Sequence, residues 1–132
     1  MEKEQKIIKV ACAIIENEGK ILAAQRSERM ILPLKWEFPG GKVNEGEEAE
    51  ECIVREIKEE LDINIGIKKK LNSYIHDYDN ISIELIPFVC YIISGQIKLK
   101  EHKDIIWDYA KNLLNIDWAA ADVNALNEYI NL

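Results

Sequence analysis

The sequence predicts an α/β protein of the α+β kind, a mixed β-sheet with helices packed against it, and three observations carry that prediction. Short β-branched apolar runs recur beside turn residues, at IIKVACAII (7–15), KILAAQR (20–26) and ISIELIPFVCYII (81–93). From about Glu47 to Leu61 there is no Pro or Gly, and Ala49, Ile53, Ile57 and Leu61 recur at every fourth residue, as one face of a helix requires. The chain has 132 residues, 48% of them apolar and 31% charged, which suits a single globular domain spanning 1–132.

Taken in order, residues 7–15 and 20–26 read as two strands joined by the turn Glu16-Asn17-Glu18-Gly19. After Pro33, LKWEF leads into Pro39-Gly40-Gly41, where two glycines permit a close approach that a side chain would prevent. Asn44, three residues before Glu47, resembles a cap for the acidic helix. Beyond the helix, residues 81–93, the turn Ser94-Gly95 and QIKLK (96–100) read as strands, with Pro87 pointing to an edge or a bulge. A short helix around Tyr109 to Leu114 and another from about Ala119 to Ile130 complete the layered order.

Composition narrows the function. A formal charge of −7 argues against nucleic acid polymers and anionic membranes, both of which need clustered Lys and Arg. The longest uncharged apolar run, LIPFVCYII (85–93), is well short of the roughly 20 residues of a spanning helix. The start, MEKEQK, lacks the basic end and long apolar region of a signal peptide, so the expected location is the cytosol. Cys12, Cys52 and Cys90 are odd in number, far apart and set among apolar neighbours, and read as reduced core thiols. A small anionic ligand remains compatible with the negative charge if a divalent cation stands between the two.

The acids of REIKEEL (55–61) ask for such a cation. With Ile53 as zero on a helical wheel, Ile57 falls at about +40°, Ala49 at about −40°, Glu60 at about −20° and Glu56 at about −60°. Two carboxylates therefore lie inside the apolar stripe, with Glu59 beside them, whereas Arg55 and Lys58 point to the other side. Glu48 and Glu51 lie on the far, solvated face. Like charges at i and i+4 repel by about 0.2–0.5 kcal/mol even when exposed, and burial adds a larger desolvation cost. Acids near a helix C-terminus also oppose its dipole. Hard oxygens converging on one patch suit Mg²⁺ or Mn²⁺, and Mg²⁺ commonly shares its shell with phosphate oxygens.

Residues 41–63, GKVNEGEEAEECIVREIKEELDI, resemble the Nudix box, G-x5-E-x7-R-E-U-x-E-E-x-G-U with U apolar. Gly41, Glu47, Arg55, Glu56, Ile57, Glu59, Glu60 and Ile63 match, and Asp62 stands where the family has Gly. Asp tolerates the left-handed conformation that this glycine provides better than most residues. KWEFPGGK before the box, and Glu101 and Trp107 after it, resemble the MutT branch.

The resemblance implies an α/β/α sandwich around a mixed β-sheet and a Mg²⁺-dependent (or Mn²⁺-dependent) pyrophosphohydrolase. It implies that Glu56, Glu59, Glu60, Glu101 and the Gly40 carbonyl hold metal, with Glu56 as general base and Glu101 second, and that Glu47 pairs with Arg55 to support the loop and helix. Arg26 falls where a phosphate or base contact is made, Phe38 where the nucleoside pocket is lined, and Asp122 where an Asn or Asp reads the base edge. The alternative for Asp122 is a plain helix cap.

Other features read as structural. His76 and His102 are far apart, and His102 is expected in an exposed loop. Asp77-Tyr78-Asp79 lacks the glycine and spacing of an EF-hand. Trp36, Trp107 and Trp118 are expected to pack rather than stack on bases. The expected activity is hydrolysis of nucleoside triphosphates to monophosphate and pyrophosphate, with 8-oxo-dGTP-like nucleotides or CTP as substrates, by a monomer or homodimer. ADP-ribose, dinucleoside polyphosphates and nucleotide sugars are the alternative substrates, and a nucleotide-sensing domain without catalysis is the alternative class.

Overall fold

The computed structural model describes residues 6–132, and the reading of the N-terminus over residues 1–5 lies outside them. Two long strands form the spine: β1 (Lys6–Asn17) runs parallel to β7 (Ile81–Ser94), in register from Lys6 opposite Ile81 to Glu16 opposite Tyr91. The other strand pairings among the described residues are antiparallel, which makes the sheet mixed, and an isolated parallel bridge joins Trp36 to Trp118. Strands β2 (Lys20–Gln25) and β4 (Gly40–Lys42) pair with β1, and β3 (Trp36–Glu37) and β8 (Asp104–Asp108) pair with β2. On the far side, β5 (Asn64–Lys70) and β6 (Tyr74–Tyr78) both pair with β7.

Strand alternation divides the apolar residues between two cores. Ala11, Ala13 and Ile15 of β1, Leu22 of β2, and Ile86, Phe88 and Cys90 of β7 pack with Cys52, Ile53, Ile57 and Leu61 of helix α1 (Ala49–Leu61). Their neighbours Cys12, Ile14, Ile21, Ala23, Leu85 and Val89 face the other way, against Ala125 and Leu126 of helix α2 (Val123–Ile130). A sheet covered on both faces needs continuous apolar strands, which is why residues 7–15 and 81–93 read as unbroken runs. The result is the expected sandwich of a mixed sheet between helical layers.

Several local expectations are corrected. The helix begins at Ala49, with Glu48 N–H donating to Glu51 at 3.2 Å, while Asn44 and Glu47 close a separate turn upstream. Gly46, at φ +79°, lies between them in a left-handed turn that a helix cannot pass through. Residues 96–100 form no strand, because their amides turn to the end of α1: Lys98 N–H donates to Leu61 O at 2.9 Å and Lys100 N–H to Glu60 O at 3.4 Å. Pro87 lies in the middle of β7 and not at an edge. It sits where β5 gives way to β6, and its carbonyl accepts from Leu71 N–H at 2.9 Å. The segment near Tyr109 is a 3₁₀ turn over Ala110–Leu113, and another over Ala120–Asp122 precedes α2.

Helix α1 ends where expected, on Asp62 in the left-handed conformation (φ 59°, ψ 32°), with its N–H donating to Lys58 O at 3.1 Å. The side chain also reaches Lys58 at 3.4 Å. Asp62→Ala is expected to lower stability by about 1 kcal/mol relative to Asp62→Gly, because only glycine adopts this conformation without a Cβ penalty. Urea unfolding of the two variants checks this.

Candidate active site

The site is built where β4 crosses β1 beneath helix α1. Gly40 and Gly41 lie opposite Cys12 and Ala11, and a Cβ on Gly40 would collide with the Ala11 carbonyl and come within 2.8 Å of Cys12 Cα. A Cβ on Gly41 would overlap the Glu56 carboxylate instead. The two glycines thus make room for different neighbours, Gly40 for the sheet backbone and Gly41 for the Glu56 side chain.

Glu56 and Glu60 are held inward by the same stripe that carries Ile53, Ile57 and Leu61. Glu60 Oε2 is buried and has no hydrogen-bond partner. Burial pushes the Glu60 carboxyl up to about 8, and the charges of Glu37, Glu56 and Glu101 add to the shift, against a hydrogen bond from the Gly40 backbone. Glu56 is better satisfied. Arg55 donates to Glu56 Oε1 at 2.9 Å and to Glu59 Oε2 at 3.2 Å, and it grips Glu47 with two bonds of 2.7 and 3.0 Å. Arg55 therefore neutralises the acids beside Glu60 but not Glu60 itself, a wider reach than a helical wheel suggests. Its hydrogen bonds hold the Glu47 carboxyl down to about 2.

A buried, unpaired carboxylate oxygen among three further acids fits a divalent cation, whose charge would reverse the local electrostatics. With Glu56 and Glu59 turned to Arg55, no three acidic, His or Cys side chains among the described residues are posed to enclose one ion. Glu101 lies exposed on the loop before β8, at the margin of an open cleft of about 600 Å³. Arg29, Lys100 and Lys103 also border this cleft, together with Glu28, which Lys103 meets at 3.2 Å. Sequence spacing gave no warning of that grouping, which two loops create.

The three residues expected on the substrate side, Arg26, Phe38 and Asp122, lie around Glu37. Arg26 donates to Glu37 Oε1 at 2.7 Å and to Ile31 O at 2.6 Å, so in this structure its guanidinium is committed to protein partners. Phe38 is 2% exposed and its ring lies 4.8 Å from the Trp118 ring, inside the second core. Phe38 N–H donates to Asp122 Oδ2 at 2.8 Å. Asp122 is buried and its side chain caps no helix. Burial, and then the charge of Glu37, push its carboxyl up to about 8.

Sequence reasoning missed two residues. Glu37 pairs with Arg26 and its charge bears on Glu60 and Asp122, yet it sits in a two-residue strand too short to show a pattern. His102, expected to be exposed, is buried, with Nε2 2.8 Å from Glu37 Oε2. The tryptophans do pack: Trp118 is buried and donates Nε1–H to Leu113 O at 2.7 Å, and Trp36 and Trp107 lie against the two cores.

Comparison with known proteins fits this geometry. A NUDIX domain matches residues 6–107. The chain belongs to the Nudix family. A CTP pyrophosphohydrolase of Escherichia coli (strain K12) is 33% identical over 127 residues, 96% of this chain and 94% of that protein. An 8-oxo-dGTP diphosphatase of Haemophilus influenzae is 48% identical over 95 residues, 71% of this chain and 68% of that protein. Among solved structures, the MutT protein (family Nudix hydrolase) of methicillin-resistant Staphylococcus aureus 252 has 40% identity and a TM-score of 0.79, covering 97% of this chain and 98% of that one. The chain is thus a MutT-like Nudix pyrophosphohydrolase acting on nucleotides. No helix among the described residues is long and apolar enough to cross a membrane.

Proposed function

We propose that this Nudix hydrolase converts nucleoside triphosphates to nucleoside monophosphate and pyrophosphate, with Mg²⁺ or Mn²⁺ as cofactor and CTP or 8-oxo-dGTP-like nucleotides as substrates. The observation that carries the reading is Glu60 Oε2, buried without a partner among Glu37, Glu56 and Glu101. The names of the relatives support the choice of substrates.

Glu56, Glu59, Glu60, Glu101 and the Gly40 carbonyl would hold the ions. When bound, the metal supplies Lewis-acid stabilisation and lowers the pKa of water. Glu56 takes the proton from the attacking water, with Glu101 as the second choice for this role. The water oxygen bonds to the β-phosphorus, the bridge to the α-phosphate breaks, and the bridging oxygen leaves with the monophosphate. Arg55 keeps Glu56 and Glu59 oriented through its anchor on Glu47. Arg29, Lys100 and Lys103 would draw the polyphosphate toward the cleft, and Arg26 would reach the phosphates or base if it exchanges its present partners for the ligand.

Incubation with CTP, 8-oxo-dGTP and a wider nucleotide panel in H₂¹⁸O tests the reading. The label is expected in pyrophosphate. Label in the monophosphate would move attack to the α-phosphorus, and no turnover of any nucleotide with either ion would remove the proposal.

Asp122 would read the base. At neutral pH its raised pKa keeps a proton on the carboxyl, so it can donate as well as accept, beyond the acceptor-only carboxylate that sequence alone suggests. Asp122→Asn preserves an acceptor for Phe38 N–H. It is expected to shift the ratio of kcat/KM for 8-oxo-dGTP over CTP by about tenfold, ~1.4 kcal/mol, measured in direct competition.

A further inference from the structure

The loop that carries Glu101 is anchored at both ends. Upstream, Lys98 and Lys100 donate backbone hydrogen bonds to Leu61 and Glu60, in the last turn of α1. Downstream, Lys103 N–H donates to Gln25 O at 2.9 Å, at the end of β2. Between these anchors the His102 side chain turns inward and is 1% exposed. Its Nε2 lies 2.8 Å from Glu37 Oε2, while Arg26 holds the other oxygen of Glu37 at 2.7 Å. A carboxylate only accepts, so Nε2 carries the hydrogen and donates it.

His102 Nδ1 is buried with no partner, a cost that a loop of exposed Lys and Glu residues would avoid by turning the imidazole to water. The inward ring fixes the register of the loop. His102 is drawn in against β3 while its neighbour Glu101 stays exposed, at the cleft margin and within electrostatic reach of Glu60.

We propose that His102 is a positioning residue: by donating Nε2–H to Glu37 it latches the Glu101 loop onto β3 and presents the Glu101 carboxylate to the divalent cation site around Glu60. This deepens, and rests on, the reading of Glu60 and Glu101 as cation ligands.

Mn²⁺ titration of the nucleotide-free protein, followed by the EPR signal of the free ion, tests the latch on wild type, His102→Ala, His102→Gln, Glu101→Gln and the double variant His102→Ala/Glu101→Gln. His102→Ala is expected to weaken Mn²⁺ binding by on the order of tenfold, the usual effect of losing a group that orients a ligand. His102→Gln places an amide N–H near the Nε2 position and is expected to restore most of the affinity. The double variant is expected to bind no more weakly than Glu101→Gln, because His102 acts through Glu101.

With nucleotide and saturating metal, kcat should fall in His102→Ala while KM changes little. Circular dichroism gives the folded fraction, so that affinities refer to folded protein. Wild-type Mn²⁺ affinity in His102→Ala, no recovery in His102→Gln, or additive losses in the double variant would each overturn the latch. Equal Mn²⁺ binding by wild type and Glu101→Gln would overturn it differently, by removing Glu101 from the site and with it the underlying reading.

Discussion

Glu60→Gln is expected to reduce hydrolysis by on the order of 100- to 1000-fold and, in the same protein, to raise the melting temperature measured in EDTA. Loss and gain share one cause. The Glu60 carboxyl is pushed up to about 8 by burial and neighbouring acids, so its ionised form strains the metal-free fold. An acid whose pKa rises on folding binds its proton more tightly when folded, so the fold loses stability as pH rises from the ordinary carboxyl value toward about 8 and is level beyond it. The slope is at most about 1.4 kcal/mol per pH unit for each such group. Asp122, also pushed up to about 8, acts in the same sense, so Glu60→Gln should flatten the decline without abolishing it.

Glu56→Gln should likewise lose activity but gain little stability, because Arg55 already satisfies Glu56 at 2.9 Å. Melting curves from pH 5 to 8, with EDTA and with Mg²⁺, check all of this. A steep decline unchanged in Glu60→Gln would show that its charge is compensated some other way. Added Mg²⁺ should raise the melting temperature more at pH 8 than at pH 5, where the proton competes for the same oxygens.

The second large effect separates two adjacent glycines. Gly40→Ala is expected to lower folding stability by several kcal/mol, since its new methyl would land on the Ala11 carbonyl and crowd Cys12 Cα, backbone atoms at the centre of the sheet. Gly41→Ala meets first the Glu56 carboxylate, the end of a flexible side chain. That protein should fold near its normal melting temperature and lose most of its activity, because Glu56 must swing away. Thermal unfolding and a single-substrate assay distinguish the two, and equal loss of stability in both would contradict the division of labour.

How much could be read in advance follows from the range of the interactions involved. The acids of α1 were legible because one helical period places Glu56 and Glu60 among Ile53, Ile57 and Leu61, and the spine strands were legible because both of their faces are covered. Strands β5 and β6 were not, since KKK and HDYD look like loop to any local rule and are ordered by pairing with β7. QIKLK looked like a strand and instead serves the carbonyls of α1, a partner that lies far away in sequence. His102 was misjudged for the same reason: its burial depends on Glu37, more than sixty residues away. Local pattern located the acids; tertiary pairing decided what surrounds them.

The parallel pairing of β1 with β7 sets an order of events in synthesis. Until the ribosome has made the chain as far as Tyr91, the apolar strand over Lys6–Asn17 has only β2 and β4 to pair with and no complete cover on its long edge. Such distant pairing is slow to form and leaves sticky edges open in the meantime. A newly made chain therefore passes through an interval when chaperone binding or self-association competes with completion of the sheet.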